Sequence, residues 1–291
     1  MPTSPAHEPM LQWYDDHRRE LPWRQPEVGG WAVLVSEIML QQTPVQRVLG
    51  VYAAWMGRWP DSAALARETP GEAVRMWGRL GYPRRALRLH RAAVAIEERH
   101  GGMVPCSTAE LRQLPGVGEY TAAAVAAFAY HQREIVLDTN VRRVLGRLFA
   151  GRQYPPATLT KAEREQARGV LPEDPHISAR WSVAVMELGA LICTAAAPRC
   201  RQCPVSARCA WRLADYPAYD GPPRRGQTYA GTDRQCRGRI LSVLRESEGP
   251  VPVALVETTW ADAIQRERAL ASLVDDGLVV RADKGGALAL P

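Results

Sequence analysis

Apolar residues recur with helical spacing through most of the first 215 residues of this 291-residue chain. Gly, Pro, Asp and Thr residues interrupt the pattern and divide it into separate helices. The spacing predicts helices at Met10 to Glu20, Trp31 to Gln42, Val45 to Arg58, Glu72 to Leu80, Arg84 to His100, Glu119 to Tyr130, Val141 to Phe149 and Ile177 to Leu191. No alternating strand pattern precedes the C-terminal part, so this region is predicted to be all-α.

The C-terminal part follows a different pattern. Clustered Pro and Gly residues predict a linker over 216–236, and compact structure is expected to resume at Arg237. Three helices and two strands are then predicted, at Gly238 to Ser247, Ala254 to Thr259, Ala261 to Asp276, Leu278 to Arg281 and Ala287 to Leu290, with a turn at Lys284-Gly285-Gly286. Three helices and a hairpin are typical of a winged-helix-like module, here over 237–291.

Composition narrows the class of protein. The apolar fraction of 46% is sufficient for a buried core in a chain of this length. The N-terminal residues show no basic leader, and no apolar run is long enough to span a bilayer. We therefore expect a soluble cytoplasmic protein that makes no membrane contact.

Charge is distributed unevenly. The 37 basic residues outnumber 31 acidic ones, which permits a polyanionic partner. From residue 237 to the end, however, seven Lys and Arg stand against eight Asp and Glu, a net of −1, which leaves +7 for the rest. A module that gripped phosphates should not be the less basic part, so we expect a protein-contact or lid role for it.

Four of the six cysteines are arranged as Cys193-x6-Cys200-x2-Cys203-x5-Cys209. Four thiolates on one short segment can hold a four-iron, four-sulfur cluster. Structural zinc is the alternative, although it usually takes two close cysteine pairs, and only Cys200 and Cys203 form such a pair here. The remaining cysteines, Cys106 and Cys236, are expected to be free thiols.

Two carboxyl groups and a glycine loop suggest chemistry. Glu37 lies in an otherwise apolar helix, where burial would raise the pKa of a carboxyl group and suit it to donate a proton; the alternative is a solvated, outward-facing glutamate. Asp138 precedes a predicted helix and could simply be its N-cap, but Asn140 or Thr139 can fill that role equally well, which would leave Asp138 able to face a cleft. Leu114 to Gly118 stands between helical patterns and can present backbone amides to a phosphate, or can simply connect two helices.

In combination, these motifs resemble those of the MutY branch of the helix-hairpin-helix DNA glycosylases. The resemblance covers roughly residues 10–215 and rests on Leu21-Pro22-Trp23-Arg24, Ser36 to Thr43, Leu80-Gly81-Tyr82, Leu114 to Gly118, Leu137-Asp138-x-Asn140-Val141 and the cysteine loop. It implies a mainly α, two-lobed fold with an iron-sulfur loop. One lobe would be a six-helix barrel containing the helix-hairpin-helix (22–132), the other a cluster lobe (1–21 and 133–215).

The resemblance also implies roles for single residues. Glu37 would protonate the flipped adenine, Asp138 would stabilise the oxocarbenium ion, and Asn140 and Tyr120 would orient these groups and the water. The cysteine loop would hold a 4Fe-4S cluster that acts as a scaffold. DNA contacts would fall on eight residues: Arg24, Gln41, Gln42, Thr43, Leu80, Tyr82, Gly116 and Gly118.

Position 120 bears on the class of reaction. Lyases of this superfamily carry a lysine amine there for a Schiff base, whereas this chain has Tyr120. The resemblance therefore implies a monofunctional base excision repair enzyme, monomeric and associated with the nucleoid, which removes adenine paired with 8-oxoguanine or guanine in duplex DNA. A thymine or uracil mismatch glycosylase and a non-catalytic iron-sulfur DNA-binding regulator are the alternatives. The C-terminal part is too short for the Nudix-like domain of many relatives, so the preferred opposite base stays open.

Overall fold

The computed structural model describes residues 4–221, 229–282 and 286–291. Over these residues the protein is mainly helical, as predicted, with a small sheet near the C-terminus. Its helices are α1 (His7–His17), α2 (Gly30–Leu40), α3 (Val45–Arg58), α4 (Ser62–Ala66), α5 (Pro70–Trp77), α6 (Arg84–His100), α7 (Thr108–Leu111), α8 (Glu119–Tyr130), α9 (Thr139–Ala150), α10 (Lys161–Gly169), α11 (Pro175–Leu191), α12 (Ala210–Leu213), α13 (Asp233–Glu246), α14 (Val253–Glu257) and α15 (Ala263–Asp275). Short 3-10 helices occur at Pro22–Arg24, Cys200–Gln202 and Ser206–Arg208.

Several helix bounds follow directly from local chemistry. Thr160 caps α10 in a capping box with Glu163, and Asp174 caps α11 ahead of Pro175 at its first position. At the other end, Gly101 and Gly151 close α6 and α9 in the left-handed conformation that glycine adopts without steric cost. None of the helices in the part described is long and apolar enough to cross a membrane.

The chain divides into two compact units. The first comprises Met1–Val33, Cys106–Arg112 and Val117–Pro223, and the second comprises Leu34–Pro105, Gln113–Gly116 and Arg224–Pro291. These bounds differ from the predicted lobes, because α8 groups with the helices that follow it. The C-terminal module groups with α3 to α6, although it follows the cysteine loop in sequence.

The first unit is built around α9 and α11. Buried residues of α1, including Met10 and Trp13, pack with Val144 of α9 and Leu188 of α11 in one hydrophobic core. Three of the loop cysteines, Cys193, Cys203 and Cys209, are partly buried against the same core. The cysteine loop is thereby anchored to α11 and to α9, the helix that has Asp138 and Asn140 at its start.

The second unit contains a tryptophan cluster. Trp55 of α3 makes edge-to-face contacts with Trp59 at 4.6 Å and with Trp77 of α5 at 5.8 Å between ring centroids. All three rings are almost fully buried. Such aromatic pairs add to the burial energy and fix the relative positions of the helices.

The C-terminal module consists of α13, α14, α15 and a three-stranded antiparallel sheet. The strands β1 (Val251–Pro252), β2 (Val280–Ala282) and β3 (Ala287–Ala289) lie in the order β1-β3-β2, with Val251 and Arg281 both opposite Leu288. The predicted hairpin is present, and β1 adds a strand that the sequence pattern did not predict. Part of the predicted turn, residues 283–285, lies outside the described residues, as do residues 222–228 of the predicted linker.

Several predictions of helix positions were wrong. Helix α2 ends at Leu40 and not at Gln42, because Gln42 takes a left-handed backbone conformation that a helix cannot contain. Helix α13 begins at Asp233, four residues before the predicted start of compact structure at Arg237. The short helices α4, α7 and α12 and the polar helix α10 were not predicted, since they lack a repeating apolar face.

Candidate functional site

Glu37 lies on α2 and is only 6% exposed. Its neighbours on the helix, Ser36 and Ile38, are almost completely buried. The alternative of a solvated, outward-facing carboxylate is therefore excluded. A glutamate enclosed in an apolar helix is suited to proton donation, because burial disfavours its charged form.

The C-terminal end of α2 is held by a residue that sequence analysis did not single out. Arg85 is 5% exposed, and its Nη1 donates to the carbonyl oxygens of Ile38 and Met39, each at 2.9 Å, and of Gln41 at 2.5 Å. These carbonyls belong to the last turn of the helix and to the residue after it, where a cation is favoured by the helix dipole. Arg85 thereby fixes the point at which the chain leaves α2.

Arg85 also joins this helix end to the loop between α5 and α6. Its Nη2 donates to Thr43 Oγ1 at 2.9 Å and to the carbonyl oxygen of Gly81 at 3.0 Å. Thr43 Oγ1 lies 3.4 Å from the carbonyl oxygen of Leu80. The structure thus brings Gln41 and Thr43 close to the loop between α5 and α6, which contains Leu80 and Tyr82 and is called the Tyr82 loop below. The family resemblance had implied DNA contact for each of these four residues separately.

Gln42 and Tyr82 share an unusual backbone conformation. Their φ angles are +56° and +47°, in the left-handed region that residues other than glycine rarely adopt. Both residues are exposed, Tyr82 by 44%. Strained backbone of this kind is typical of functional loops, where the surrounding structure holds it in place.

The glycine loop Leu114 to Gly118 connects the single-turn helix α7 to α8. Gly116 has a φ of +84°, and a Cβ at this position would come within 2.8 Å of the Arg88 Cβ, so glycine is required there. Gly118 is the N-cap residue of α8 and provides no side-chain cap. Space around Gly118 is open, as close backbone approach to a ligand would need.

Asp138 is itself the N-cap of α9. Its Oδ1 accepts a hydrogen bond from the Val141 amide at 2.6 Å, so of the alternatives considered Asp138 fills the capping role, and Asn140 and Thr139 do not. Asp138 immediately precedes the first helical residue, so its side chain can reach the backbone amide of Val141, the third residue of the helix. Thr139 and Asn140 already lie within the helix and are not in the N-cap position. Asn140 Nδ2 donates to Asp138 Oδ2 at 2.9 Å, so both oxygens of the carboxyl group are held.

The environment of Asp138 acts on its acidity in both directions. Burial raises the pKa of the Asp138 carboxyl above its ordinary value, against the opposing effects of the Val141 amide, the Asn140 amide and the Arg143 guanidinium. The net effect is a raised pKa for Asp138. An anionic form of this carboxyl group is therefore poorly solvated and well placed to interact with a developing positive charge.

Arg143 and Gly189 support Asn140 and were not identified from the sequence. Arg143 Nη2 donates to Asn140 Oδ1 at 2.8 Å and to the Gly189 carbonyl oxygen at 2.7 Å, while its Nε donates to the Cys193 carbonyl oxygen at 2.8 Å. A Cβ at Gly189 would lie 2.7 Å from the Asn140 Cβ. An arginine among many and a glycine inside a helix give no sequence signal for such contacts.

Tyr120 lies in the first turn of α8. It packs against a small cluster of buried residues, Ala123, Ala124, Ala127 and Val136. Val136 precedes Asp138 by two residues, so Tyr120 borders the segment that leads to the carboxyl group. Glu37 and Asp138 belong to different compact units.

Arg24 forms an ion pair within the first unit. Its Nη2 lies 2.9 Å from Glu187 Oε2, and the Glu187 side chain, which is fully buried on α11, also binds Arg19 at 2.8 Å. Arg24 therefore has a structural partner in addition to its predicted DNA contact. Its Nη1 is buried and has no hydrogen-bond partner within the part of the chain that the structure describes.

The four loop cysteines form a common environment. The pKa of Cys203 is raised to about 12, first by burial and also by the neighbouring Cys193, Cys209 and Cys200 thiols, against the opposing effect of a hydrogen bond from the Val205 amide. Arg147, which is 1% exposed, donates from Nη1 to Cys193 Sγ at 3.4 Å and to the Thr194 carbonyl oxygen at 2.8 Å. Arg147 therefore places a positive charge beside a candidate ligand, and cysteine binds metal groups as the negatively charged thiolate.

The donor set bears on the metal group that the loop could hold. Among the described residues, no set of three or more His, Cys, Asp and Glu side chains is placed to hold a metal ion. A four-iron cluster takes each cysteine on a different iron, so its four ligands surround the cluster. Four thiolates on one short segment, with a single close pair, are donors of the kind that such a cluster takes.

Comparisons with known proteins agree with this geometry. Residues 35–168 match the model of the HhH-GPD superfamily base excision DNA repair proteins. An adenine DNA glycosylase of Mycobacterium tuberculosis is 50% identical over 293 residues, which cover 99% of this chain and 95% of that protein. The adenine DNA glycosylase of Mycolicibacterium smegmatis is 49% identical, with coverage of 98% and 95%.

A solved structure supports the fold independently. The structure of a thermostable thymine-DNA glycosylase superposes with a TM-score of 0.64 at 27% identity, covering 72% of this chain and 95% of the other. The structural match identifies the fold, whereas the identity to adenine DNA glycosylases over nearly the whole chain identifies the family. The chain belongs to the MutY family of helix-hairpin-helix DNA glycosylases.

Proposed function

We propose that this protein is an adenine DNA glycosylase of base excision repair, acting on adenine paired with 8-oxoguanine or guanine in duplex DNA. The burial of Glu37 on an apolar helix, with the left-handed Gln42 two residues after the end of that helix, carries the proposal. This segment combines a candidate proton donor, Glu37, with an exposed turn at Gln42 that is suited to fill the space left by an extruded base. Sequence identity to adenine DNA glycosylases over nearly the whole chain supports the choice of adenine.

The chemistry assigns one role to each carboxyl group. Glu37 donates a proton to the five-membered ring of the flipped adenine, and the bond between the base and C1′ breaks with its electrons passing to the base. Asp138, as the carboxylate, stabilises the positive charge left on the sugar. Water then adds at C1′ and loses a proton, which yields free adenine and an abasic site.

Tyr120 makes the enzyme monofunctional in this proposal. A lyase needs an amine that attacks C1′, and a phenol at this position cannot form a Schiff base. Lys161, the lysine among the described residues, is exposed on α10 and pairs with Glu165. Strand cleavage should therefore require separate treatment of the abasic product.

Cys193, Cys200, Cys203 and Cys209 would hold a 4Fe-4S cluster, with Arg147 beside them. The cluster would supply a rigid scaffold for the loop that carries Arg199, Arg201 and Arg208, and no step of the excision passes through it. Analysis of iron, acid-labile sulfide and zinc in the purified protein tests this assignment. A protein containing zinc and no sulfide would contradict it.

Single-turnover assays on four duplexes test the proposed function. Duplexes with A:8-oxoguanine, A:G, T:G and U:G pairs should be cleaved only at adenine, after alkaline treatment. Glu37→Gln should lower the rate by about 10²–10⁴-fold, the usual contribution of a general acid, while DNA binding is retained. Excision of thymine or uracil in place of adenine, or a Glu37→Gln protein as fast as the wild type, would overturn the proposal.

A further inference from the structure

The C-terminal module is fixed to the helix pair that carries the Tyr82 loop. Arg75 of α5 donates from Nη1 to carbonyl oxygens at the C-terminal end of α13, those of Leu244, Arg245 and Ser247, the last at 2.7 Å. In return, Arg245 Nε donates to the Val74 carbonyl oxygen at 3.0 Å. A cation at a helix C-terminus is favoured by the dipole and satisfies carbonyls that otherwise lack partners.

Two further contacts lie on either side of the same loop. Arg84, the first residue of α6, forms an ion pair with Asp276 at 3.0 Å, and Asp276 also binds Arg237 of α13 at 2.5 Å. The backbone of Leu290 and Pro291 packs against Gly71 of α5. The module is therefore attached to α5 before the loop and to α6 after it.

The module also reaches Tyr82 itself. The guanidinium of Arg234, at the start of α13, lies over the Tyr82 ring at 5.6 Å from its centroid. Arg85 approaches the same ring at 5.5 Å. Tyr82 thus has contacts from the helix that follows it and from a segment some 150 residues away in sequence.

We infer that Arg234 is a positioning residue for Tyr82, and that the C-terminal module serves to hold the Tyr82 ring in the orientation needed to enter DNA opposite the extruded adenine. The inference rests on the proposed function, which assigns Tyr82 to that wedge. It extends that function to a module whose net charge of −1 argues against direct phosphate binding. Arg234 contributes through a planar guanidinium that stacks on an aromatic ring.

The exposure of Tyr82 gives a physical reason for a contact that restricts its ring. Tyr82 is 44% exposed, so a large part of the residue lies in solvent, where packing does not restrict the ring. An aromatic side chain that must unstack bases works best when its orientation is fixed before binding, because less freedom is then lost on association. Helix α13 restricts the Tyr82 ring through the single guanidinium of Arg234, and the module as a whole need not be positively charged to do so.

A double-mutant cycle on DNA binding tests the inference. Dissociation constants for an A:8-oxoguanine duplex with a non-cleavable adenine analogue are measured for wild type, Arg234→Ala, Tyr82→Ala and the double variant. We expect Arg234→Ala to weaken binding about fivefold and to have no further effect when Tyr82 is already alanine. Arg234→Lys should restore only part of the loss, because an ammonium group lacks the stacking plane.

Arg239→Ala is the matched control. Arg239 lies on the same helix and over an aromatic ring, that of Trp260 at 5.2 Å, which belongs to the module itself. Its loss should leave DNA affinity unchanged. A 2-aminopurine placed beside the orphan purine adds a spectroscopic readout, since its fluorescence rises when neighbouring bases unstack; Arg234→Ala should reduce that rise and Arg239→Ala should not.

Failure of this inference can be separated from failure of the proposed function. If the wild type excises adenine and Tyr82→Ala weakens binding, but Arg234→Ala matches the wild type or adds its full effect in the double variant, the inference is wrong. If Tyr82→Ala has no effect on binding or on fluorescence, the inference is also wrong, whatever the excision assay shows. Absence of adenine excision by the wild type contradicts the proposed function itself.

Discussion

Asp138 has two tasks, one for each carboxylate oxygen. Oδ1 caps α9 through the Val141 amide, and Oδ2 is held by Asn140, which Arg143 supports in turn. The proposed chemistry uses the charge of the carboxylate, whereas capping needs only an oxygen acceptor. The two tasks can therefore be separated by substitution.

Asp138→Asn should remove the negative charge that the proposed chemistry uses and preserve most of the helix capping. Asparagine caps helices about as well as aspartate, so the free energy of unfolding should change little, while the excision rate should fall by about 10²–10³-fold through loss of the negative charge. Asp138→Ala should lose both, with an added cost of about 1 kcal/mol in stability. Single-turnover rates and urea unfolding of the two variants measure this. Equal rates for Asp138→Asn and the wild type would show that the charge is not used.

At the scale of elements, the sequence predicted the long helices well because their apolar faces repeat. The bounds of α3, α6 and α8 were predicted to the residue. Helices without such a face were missed: α10 is strongly polar and is held by its capping box and by the Arg142–Glu163 ion pair. The β1 strand was missed because a two-residue strand gives no alternation to detect.

Prediction of the site residues from the sequence is limited in the same way. The sequence singled out Glu37 and Asp138 as candidates through the family motifs that contain them, and Glu37 also through the apolar helix around it. It could not identify Arg85 or Gly189, because their roles depend on carbonyl oxygens and side chains far away in the chain. It left the cap of α9 open, since three adjacent residues, Asp138, Thr139 and Asn140, can all cap a helix.

Docking of the C-terminal module on α5 depends on a glycine. A Cβ at Gly71 would overlap the Pro291 carbonyl oxygen and approach the Leu290 Cβ to 3.1 Å. Gly71→Leu should therefore displace the module, although it improves the intrinsic helix propensity of α5. Amide hydrogen exchange should show lost protection in α13 and unchanged protection in α3.

Gly57→Leu provides the control for this experiment. Gly57 lies near the end of α3, and nothing lies within 4 Å of a Cβ built there. The substitution should preserve exchange in α13 and stabilise the protein slightly, by up to about 0.8 kcal/mol. Full protection of α13 in Gly71→Leu would mean that the module is held by the arginine contacts alone.

For the molecule as a whole, one buried carboxylate links segments distant in sequence. Glu187 of α11 binds Arg19 and Arg24, which lie between α1 and α2, so it joins the N-terminal segment to the helices that support the cysteine loop. Burial alone would raise the pKa of Glu187, but hydrogen bonds from Arg19 and Arg24 outweigh it and lower the pKa from 4.5 to about 2. The anionic form is therefore the one that the fold stabilises.

This shift predicts how stability depends on pH. Because the pKa of Glu187 is lower in the folded protein, its contribution is complete above pH 4.5 and is lost as the pH falls toward 2. The shift corresponds to roughly 3 kcal/mol at neutral pH. Glu187→Gln should lower the free energy of unfolding by an amount of this order at pH 7, and the difference from the wild type should shrink as the pH falls through that window.

Urea unfolding of both proteins between pH 7 and pH 3 measures this difference. Glu163→Gln is a suitable comparison, because Glu163 also pairs with an arginine, Arg142, and its pKa is also lowered, but its ion pair lies within the α9 and α10 region and connects nearer parts of the chain. If the two variants lose the same stability and the N-terminal helix α1 keeps its exchange protection in Glu187→Gln, the buried carboxylate is not what holds that segment. Loss of protection in α1 with Glu187→Gln alone would show that one side chain ties the start of the chain to the helices around the cysteine loop.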